Sequence, residues 1–175
     1  MLRGQARARR RVALTDARSN GSWRPRVDVL QEADLLRKVP IFGGLDPAKL
    51  KLLAFTSRAV RFAPGENIVR INEPSDSAYV IFEGEAEILD EANGGEIILD
   101  RIGSNAIIGE QGVLLNAPRS ATVRAKTAVR ALRISDGVFL SLLTDNPDCA
   151  LHVMRELSKR VKEANARFLA VVRKR

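Results

Sequence analysis

The sequence predicts a mainly β fold, a barrel or sandwich, with helices at both ends. Three observations predict it. Between residues 58 and 135 short apolar segments alternate with turn signals, with turns about ten residues apart, the habit of an all-β barrel or sandwich. Before that stretch, and again after Ile134, apolar residues recur at helical spacing. The chain of 175 residues with 45% hydrophobic content is long enough for one compact domain with a real core.

Residues 1–27 predict a basic disordered tail: RARARRRV is a charge run and SNGSWRPR collects turn formers. Arg-rich and poor in acids, this tail faintly resembles an organelle transit peptide and equally suits a start placed too far upstream, and Trp23 is its one residue suited to burial. The ordered domain is expected over 28–175. Asp28 to Val39 predicts a short amphipathic helix with Val27, Leu30, Ala33 and Leu36 on its apolar stripe. In LDPAKLKLLAF, Asp46 is placed to cap a second helix and Pro47 fits its first position, with Leu50, Leu53 and Ala54 buried. The strand segments follow as AVRF, NIVRI, SAYVIFEG, EAEILD, EIILDRIG, ATVRA and AVRALRIS. Asn93-Gly94 between EILD and EIIL predicts a tight hairpin. Glu83, Glu85 and Glu87, at alternate positions, predict one solvated strand face. Helices are expected over about 135–172: a short one capped at Ser135 or Asp136, then a long one opened by Asn146-Pro147-Asp148. On the long helix Met154, Leu157, Val161, Ala164, Phe168 and Val171 follow a 3-4-3-4-3 pattern. That seam suits helix-to-helix packing, or equally a helix lying on its own β-domain.

Charge is partitioned along the chain. Residues 1–28 carry eight Arg against two Asp, and 155–175 carry eight Lys or Arg against two Glu, so each end is +6. The remaining 29–154, with 13 basic and 17 acidic residues, are −4, which makes up the total of +8. The basic balance therefore belongs to the ends and does not make the domain a nucleic-acid binder. No apolar run reaches membrane-spanning length, and the single Cys149 excludes an internal disulfide, which suits the cytoplasm. His152 has no second His with which to bind metal or build a Ser-His-Asp arrangement, and no enzyme or cofactor is expected. Cys149 near a helix start is read as a small packed residue.

The chemistry concentrates in GEQGVLLNAPRSATV, Gly109 to Val123. Its middle, Gln111–Leu115, is long enough for one turn of helix, whose unpaired N–H groups attract anions. Gly109 and Gly112 allow close approach to the backbone. Arg119 offers a planar fork that matches two phosphate oxygens, and Pro118 fixes the backbone before it. Ser120 and Ala121 add a hydroxyl and an amide N–H. Glu110 repels phosphate but accepts from hydroxyls. Phosphate and hydroxyl on one small ligand point to a ribose phosphate. Alternatively, Glu110 and Arg119 form an ordinary surface pair across a loop, worth about 0–1 kcal/mol.

The pattern G-E-x-G…P-R-S-A-T-V resembles the phosphate-binding cassette of cyclic nucleotide-binding domains, found in the bacterial catabolite activator protein, cyclic-AMP-dependent kinase regulatory subunits and nucleotide-gated channels. VPIFGGL, APGENIVRINEPSDSAYVIFEGEAEI, LDRIGSNAIIGE and RSATVRAKTA extend the resemblance over about residues 34–165. It implies an antiparallel β jelly roll with N-terminal helices and a long C-terminal helix. It also implies that Arg119 binds a cyclic phosphate, completed by Ser120 and Ala121, while Glu110 accepts from the ribose 2′-hydroxyl beside Gly109 and Gly112. Three positions depart from the family pattern: Ile108 stands for the usual Phe, Gln111 for the usual aliphatic at the ribose end, and Asn72 for a turn glycine. Ser120 after the arginine, as in bacterial cyclic-AMP receptors, implies cyclic AMP ahead of cyclic GMP. Arg160 by stacking and Asn165 by hydrogen bonding are the candidates on the long helix for the base; a solvated helix face accounts for either one alone. The expected partners are a cyclic nucleotide and, through the C-terminal helix, a second copy or another protein. DNA is not expected for this chain alone, since no helix-turn-helix follows the long helix within it. The alternatives are a catabolite-activator-type transcription regulator lacking its DNA-binding part, and an interaction module that no longer binds nucleotide.

Overall fold

The computed structural model describes residues 28–92 and 95–173. The tail before Asp28, with Trp23 and Val27, lies outside them, as does the Asn93-Gly94 turn. Helix α1, Val29–Leu36, begins at Asp28, whose carboxylate accepts from the backbone N–H groups of Leu30 and Gln31. Its buried face is not the one expected. Ala33 and Leu36 are buried, but Leu30 is exposed and Glu32 turns inward. At about 100° per residue Leu30 lies about 120° round the helix from Leu36, whereas Glu32, one turn before Leu36, shares its face. A 3-10 turn at Pro40–Phe42 buries Ile41 and Phe42. Helix α2, Pro47–Thr56, is capped by Asp46, which accepts from Lys49 N at 3.0 Å, and buries Leu50, Leu53 and Ala54 as expected.

Eight strands follow: β1 Arg58–Phe62, β2 Asn67–Val69, β3 Ser77–Glu83, β4 Ala86–Ala92, β5 Gly95–Ile102, β6 Ile107–Ile108, β7 Thr122–Ala125 and β8 Val129–Ser135. They form two antiparallel four-stranded sheets, ordered β1-β8-β3-β6 and β2-β7-β4-β5. β4 and β5 pair up to Ala92↔Gly95, directly beside the Asn93-Gly94 position. The first sheet is apolar on both faces. On β8, Val129 and Ala131 point into the space between the sheets, while Leu132 and Ile134 point to the helices. Strand β3 divides likewise, Ile81 inward and Ala78, Val80 and Phe82 outward. A strand covered on both sides needs an apolar run in place of alternation, which is why SAYVIF reads as it does. The outward side chains meet Leu36, Phe42, Leu50, Phe139 and Val153 in one core; the inward ones meet Ile68, Val69, Ala86, Val123 and Ala125 in the other.

Glu83, Glu85 and Glu87 do not share a strand face. β3 ends at Glu83 and β4 starts at Ala86, with a turn at Gly84, and the three carboxylates pair with Arg130, Lys126 and Arg101 respectively. Helix α4, Asp136–Thr144, is capped by Ser135 Oγ, and α5 runs Pro147–Val172. The start of α5 is anchored by Cys149 and Val153, both buried against the helical core. From Ser158 onward every described side chain is exposed. Of the expected seam, Leu157 packs against the helical core, whereas Met154, Val161 and Phe168 are 55%, 60% and 68% exposed.

Candidate functional site

Strand β6 stops at Ile108 and the chain turns through Gly109 in the left-handed region (φ 78°) into a six-residue helix, α3, Glu110–Leu115, which closes on Asn116, also left-handed. The segment after it is tied to the β2–β3 loop. Arg119 N donates to Glu73 O and Arg119 O accepts from Asn72 N, each at 2.9 Å, with Asn72 at φ 67°. Thr122 Oγ1 accepts from Ile71 N at 3.1 Å. With its backbone held on both sides, the Arg119 side chain folds inward and is 5% exposed. Its Nη1 donates to Gly109 O at 3.1 Å and its Nη2 to Ser77 Oγ at 3.5 Å, and Asp76 Oδ1 lies 3.6 Å from Nη2. Burial presses its pKa below the ordinary arginine value, while Tyr79 and Asp76 oppose the shift. The guanidinium stays charged all the same.

Glu110 is 3% exposed and pairs with Arg160 of α5, Nη1 to Oε1 at 2.6 Å. Desolvation raises its pKa, and the Arg160 charge pulls the other way. Glu110 and Arg119 are not partners of each other, so the surface-pair alternative is overturned: both are buried and each has its own ties. They open on one cavity of about 160 Å³, floored by Val69, Ile88, Ile107 and Val123 from both sheets. A buried cation held by neutral oxygens and an exposed acid keeps donor capacity for an anion. A buried carboxylate with one oxygen engaged keeps the other for hydroxyl donors.

Of the residues singled out in the sequence, Gly109, Glu110, Gln111, Gly112, Arg119, Ser120, Ala121 and Arg160 all line this cavity. Asn165 does not; it is exposed. Five residues along an α-helix turn about 140° past Arg160, so the two cannot face the same opening. Arg160, expected to stack on a base, donates to Glu110 at the edge of the cavity. The glycines also serve differently. A Cβ on Gly109 would overlap Arg119 Nη1, and one on Gly112 would overlap Ser75 Oγ, so the space is taken by the protein's own groups. The sequence reading missed Asp76 and Ser77, which hold the guanidinium; they stand in the β2–β3 loop and at the start of β3, and nothing in their spacing links them to Arg119.

Cys149 is packed, its thiol pushed up to about 11 by burial. An open hollow along α5 beside His152, Arg155 and Lys159 is lined by that helix alone and converges on nothing. Among the described residues no His, Cys, Asp or Glu cluster suits a metal, and no helix is long and apolar enough to cross a membrane.

Comparison with known proteins gives one consistent result. A family model described as cyclic nucleotide-binding domain matches residues 59–146. The chain is 32% identical over 131 residues to potassium channel AKT1 of Arabidopsis thaliana, covering 75% of this chain and 15% of the channel. It is 27% identical over 133 residues to a CRP-like cAMP-activated global transcriptional regulator of Mycobacterium tuberculosis, covering 75% of this chain and 59% of the regulator. The solved N-terminal domain of a transcriptional regulator from Streptomyces coelicolor superposes with a TM-score of 0.62 at 30% identity, covering 76% of this chain and 96% of that one. The chain thus spans only part of the curated relatives it matches.

Proposed function

The chain belongs to the cyclic nucleotide-binding domain family, and from that premise we propose that it is a cyclic nucleotide sensor, for cyclic AMP in preference to cyclic GMP, that works by binding and not by catalysis. Arg119 takes the cyclic phosphate, with the Ser120 hydroxyl and the Ala121 amide completing the anion site. Glu110 accepts from the ribose 2′-hydroxyl through the oxygen that Arg160 leaves open. One observation carries this reading: a cation and a carboxylate, both buried and not paired with each other, open on the same small cavity. Glu110 is tied to Arg160 and Arg119 to Asp76 and neutral oxygens, yet each keeps hydrogen-bonding capacity beyond those ties, and a ribose phosphate would use both.

Arg160 couples the ligand to α5, because the carboxylate that holds it is the one the ribose would use. The exposed seam of α5 favours a second helix as its partner. In a parallel pair with Met154, Val161 and Phe168 at the first seam positions, residues five apart face each other across the interface. Asn165 of one copy then lies opposite Arg160 of the other, which gives it a place near the neighbouring site that it lacks in its own.

Calorimetry with cyclic AMP and cyclic GMP on wild type and Arg119→Ala tests the proposal. Loss of about 2 kcal/mol or more is expected in the variant, the range for hydrogen bonds to a charged group. No heat and no thermal stabilisation of the wild type by either nucleotide would favour an interaction module that has lost its ligand.

A further inference from the structure

Arg119 does not stand alone in the fold. Asp76, at the end of the β2–β3 loop, lies between two guanidinium groups: its Oδ1 is 3.6 Å from Arg119 Nη2, and its Oδ2 accepts from Arg133 Nη2 at 2.8 Å. Ser77 Oγ, which accepts from Arg119, donates to Asp76 Oδ1 at 2.8 Å. Two cations share one anion, so the cluster carries +1. Of the other charges nearby, one lowers this surplus. Glu110 and Arg160 form a neutral pair, whereas Glu73, whose carboxylate accepts from the Arg70 N–H, adds a negative charge that acts on Arg119. Asp76 does not line the cavity, so it acts on a ligand through Arg119.

We infer that Asp76 sets the charge of the anion the site accepts, so that a singly charged phosphodiester is preferred over a doubly charged phosphomonoester. A cyclic phosphodiester has one ionised oxygen and carries −1, which takes up the surplus of these three groups; with Glu73 beside them, nothing is left for a second negative charge. A linear monoester carries about −1.5 to −2 at pH 7. It would leave negative charge uncompensated beside the buried Glu110, where charge is poorly screened. A sensor of a cyclic ligand gains from this, because ring opening converts the diester to the monoester. Asp76 would be a positioning residue with respect to selectivity, since it touches Arg119 and not the ligand.

The inference rests on the ligand reading given above. Its test is competition against a fluorescent cyclic nucleotide by cyclic AMP and by 5′-AMP up to millimolar, on wild type, Asp76→Asn, Asp76→Glu and Arg133→Gln, each first checked by thermal melting. Asp76 is 65% exposed, so the effect belongs to the range of solvent-screened pairs. Asp76→Asn should narrow the cyclic-to-linear affinity ratio about two- to fivefold. Arg133→Gln should widen it by a similar factor, and Asp76→Glu should keep the wild-type ratio. The opposite signs exclude a merely structural role. If Asp76→Asn weakens both ligands equally, or fails to bring 5′-AMP nearer to cyclic AMP, or if both neutral variants move the ratio the same way, the inference is overturned while the ligand reading stands. If wild type binds no cyclic nucleotide, both fall.

Discussion

Gly109 shows how little of the cassette is spare. Its left-handed turn and missing side chain make room for the Arg119 guanidinium, which in turn caps the Gly109 carbonyl. A ligand that reaches Arg119 therefore meets a group already aimed. Glu110 is held at a cost that pH reveals. Its pKa is raised from 4.5, chiefly by burial and only partly offset by Arg160. The native state then binds more protons than the unfolded chain above pH 4.5, so its stabilising contribution is complete below that value and is lost as pH rises through the folded pKa. Asp76 has the opposite sign: hydrogen bonding from Ser77 and the Arg133 charge lower its pKa from 3.8, so its contribution is present above 3.8 and fades as pH falls through the folded value. The two windows do not overlap. Thermal melts of ligand-free wild type and Glu110→Gln between pH 4 and 8 should show the variant gaining on the wild type as pH rises. A difference constant in pH would remove burial of an ionised Glu110 from the account. At this scale the sequence displayed the reactive side chains and hid their partners. Glu110 and Arg119 stand out as acid and base among turn residues, but Asp76, Ser77 and Arg160 reach them only through the folding of distant segments.

At the scale of elements, what was legible depended on who covers whom. α2 was readable because Asp46, Pro47 and the Leu50–Leu53–Ala54 stripe all state the same helix. The buried face of α1 departs from the expectation because Leu30 is as apolar as Leu36, and only the side on which α2 and the rest of the helical core lie decides which of them is covered. α5 divides at about Ser158: its first part is fixed by Cys149 and Val153, and its second leaves an apolar row in water. A row of this kind is stabilised when a second helix covers it. Wild type is therefore expected to self-associate in sedimentation equilibrium, and Val161→Asp with Phe168→Asp should return it to a monomer. Since those two side chains are already exposed, the melting temperature of the monomeric domain should barely change. A wild type that stays monomeric at high concentration would exclude the second copy as partner of the seam.

At the scale of the whole molecule, the two sheets floor the cavity and the cassette holds its cation by backbone bonds on both sides, whereas the distal half of α5 leaves its described side chains exposed. The jelly-roll order of strands could be anticipated only through the cassette and its neighbouring motifs, because period and turns alone describe barrels and sandwiches alike. Charge repeats the division: a mildly acidic body carries a helix whose end is strongly basic. Among the described residues, the Arg160–Glu110 bond is the ion pair that joins this half of α5 to the cassette. A ligand can move α5 only by as much as its affinity differs between the two positions of the helix, and tenfold is about 1.4 kcal/mol. On the proposed reading, a ribose hydroxyl competing for, or bridging, the Glu110 carboxylate would supply such a difference, whereas a phosphate held by Arg119 on the loop side would not. Arg160→Ala should therefore keep binding that still depends on Arg119, while the change in hydrogen exchange that ligand produces over residues 158–173 is largely lost. Full retention of that change in the variant would place the coupling elsewhere, in the apolar contacts of α5 with α4 and the 3-10 turn, and would leave Arg160 a surface cation that happens to rest on Glu110.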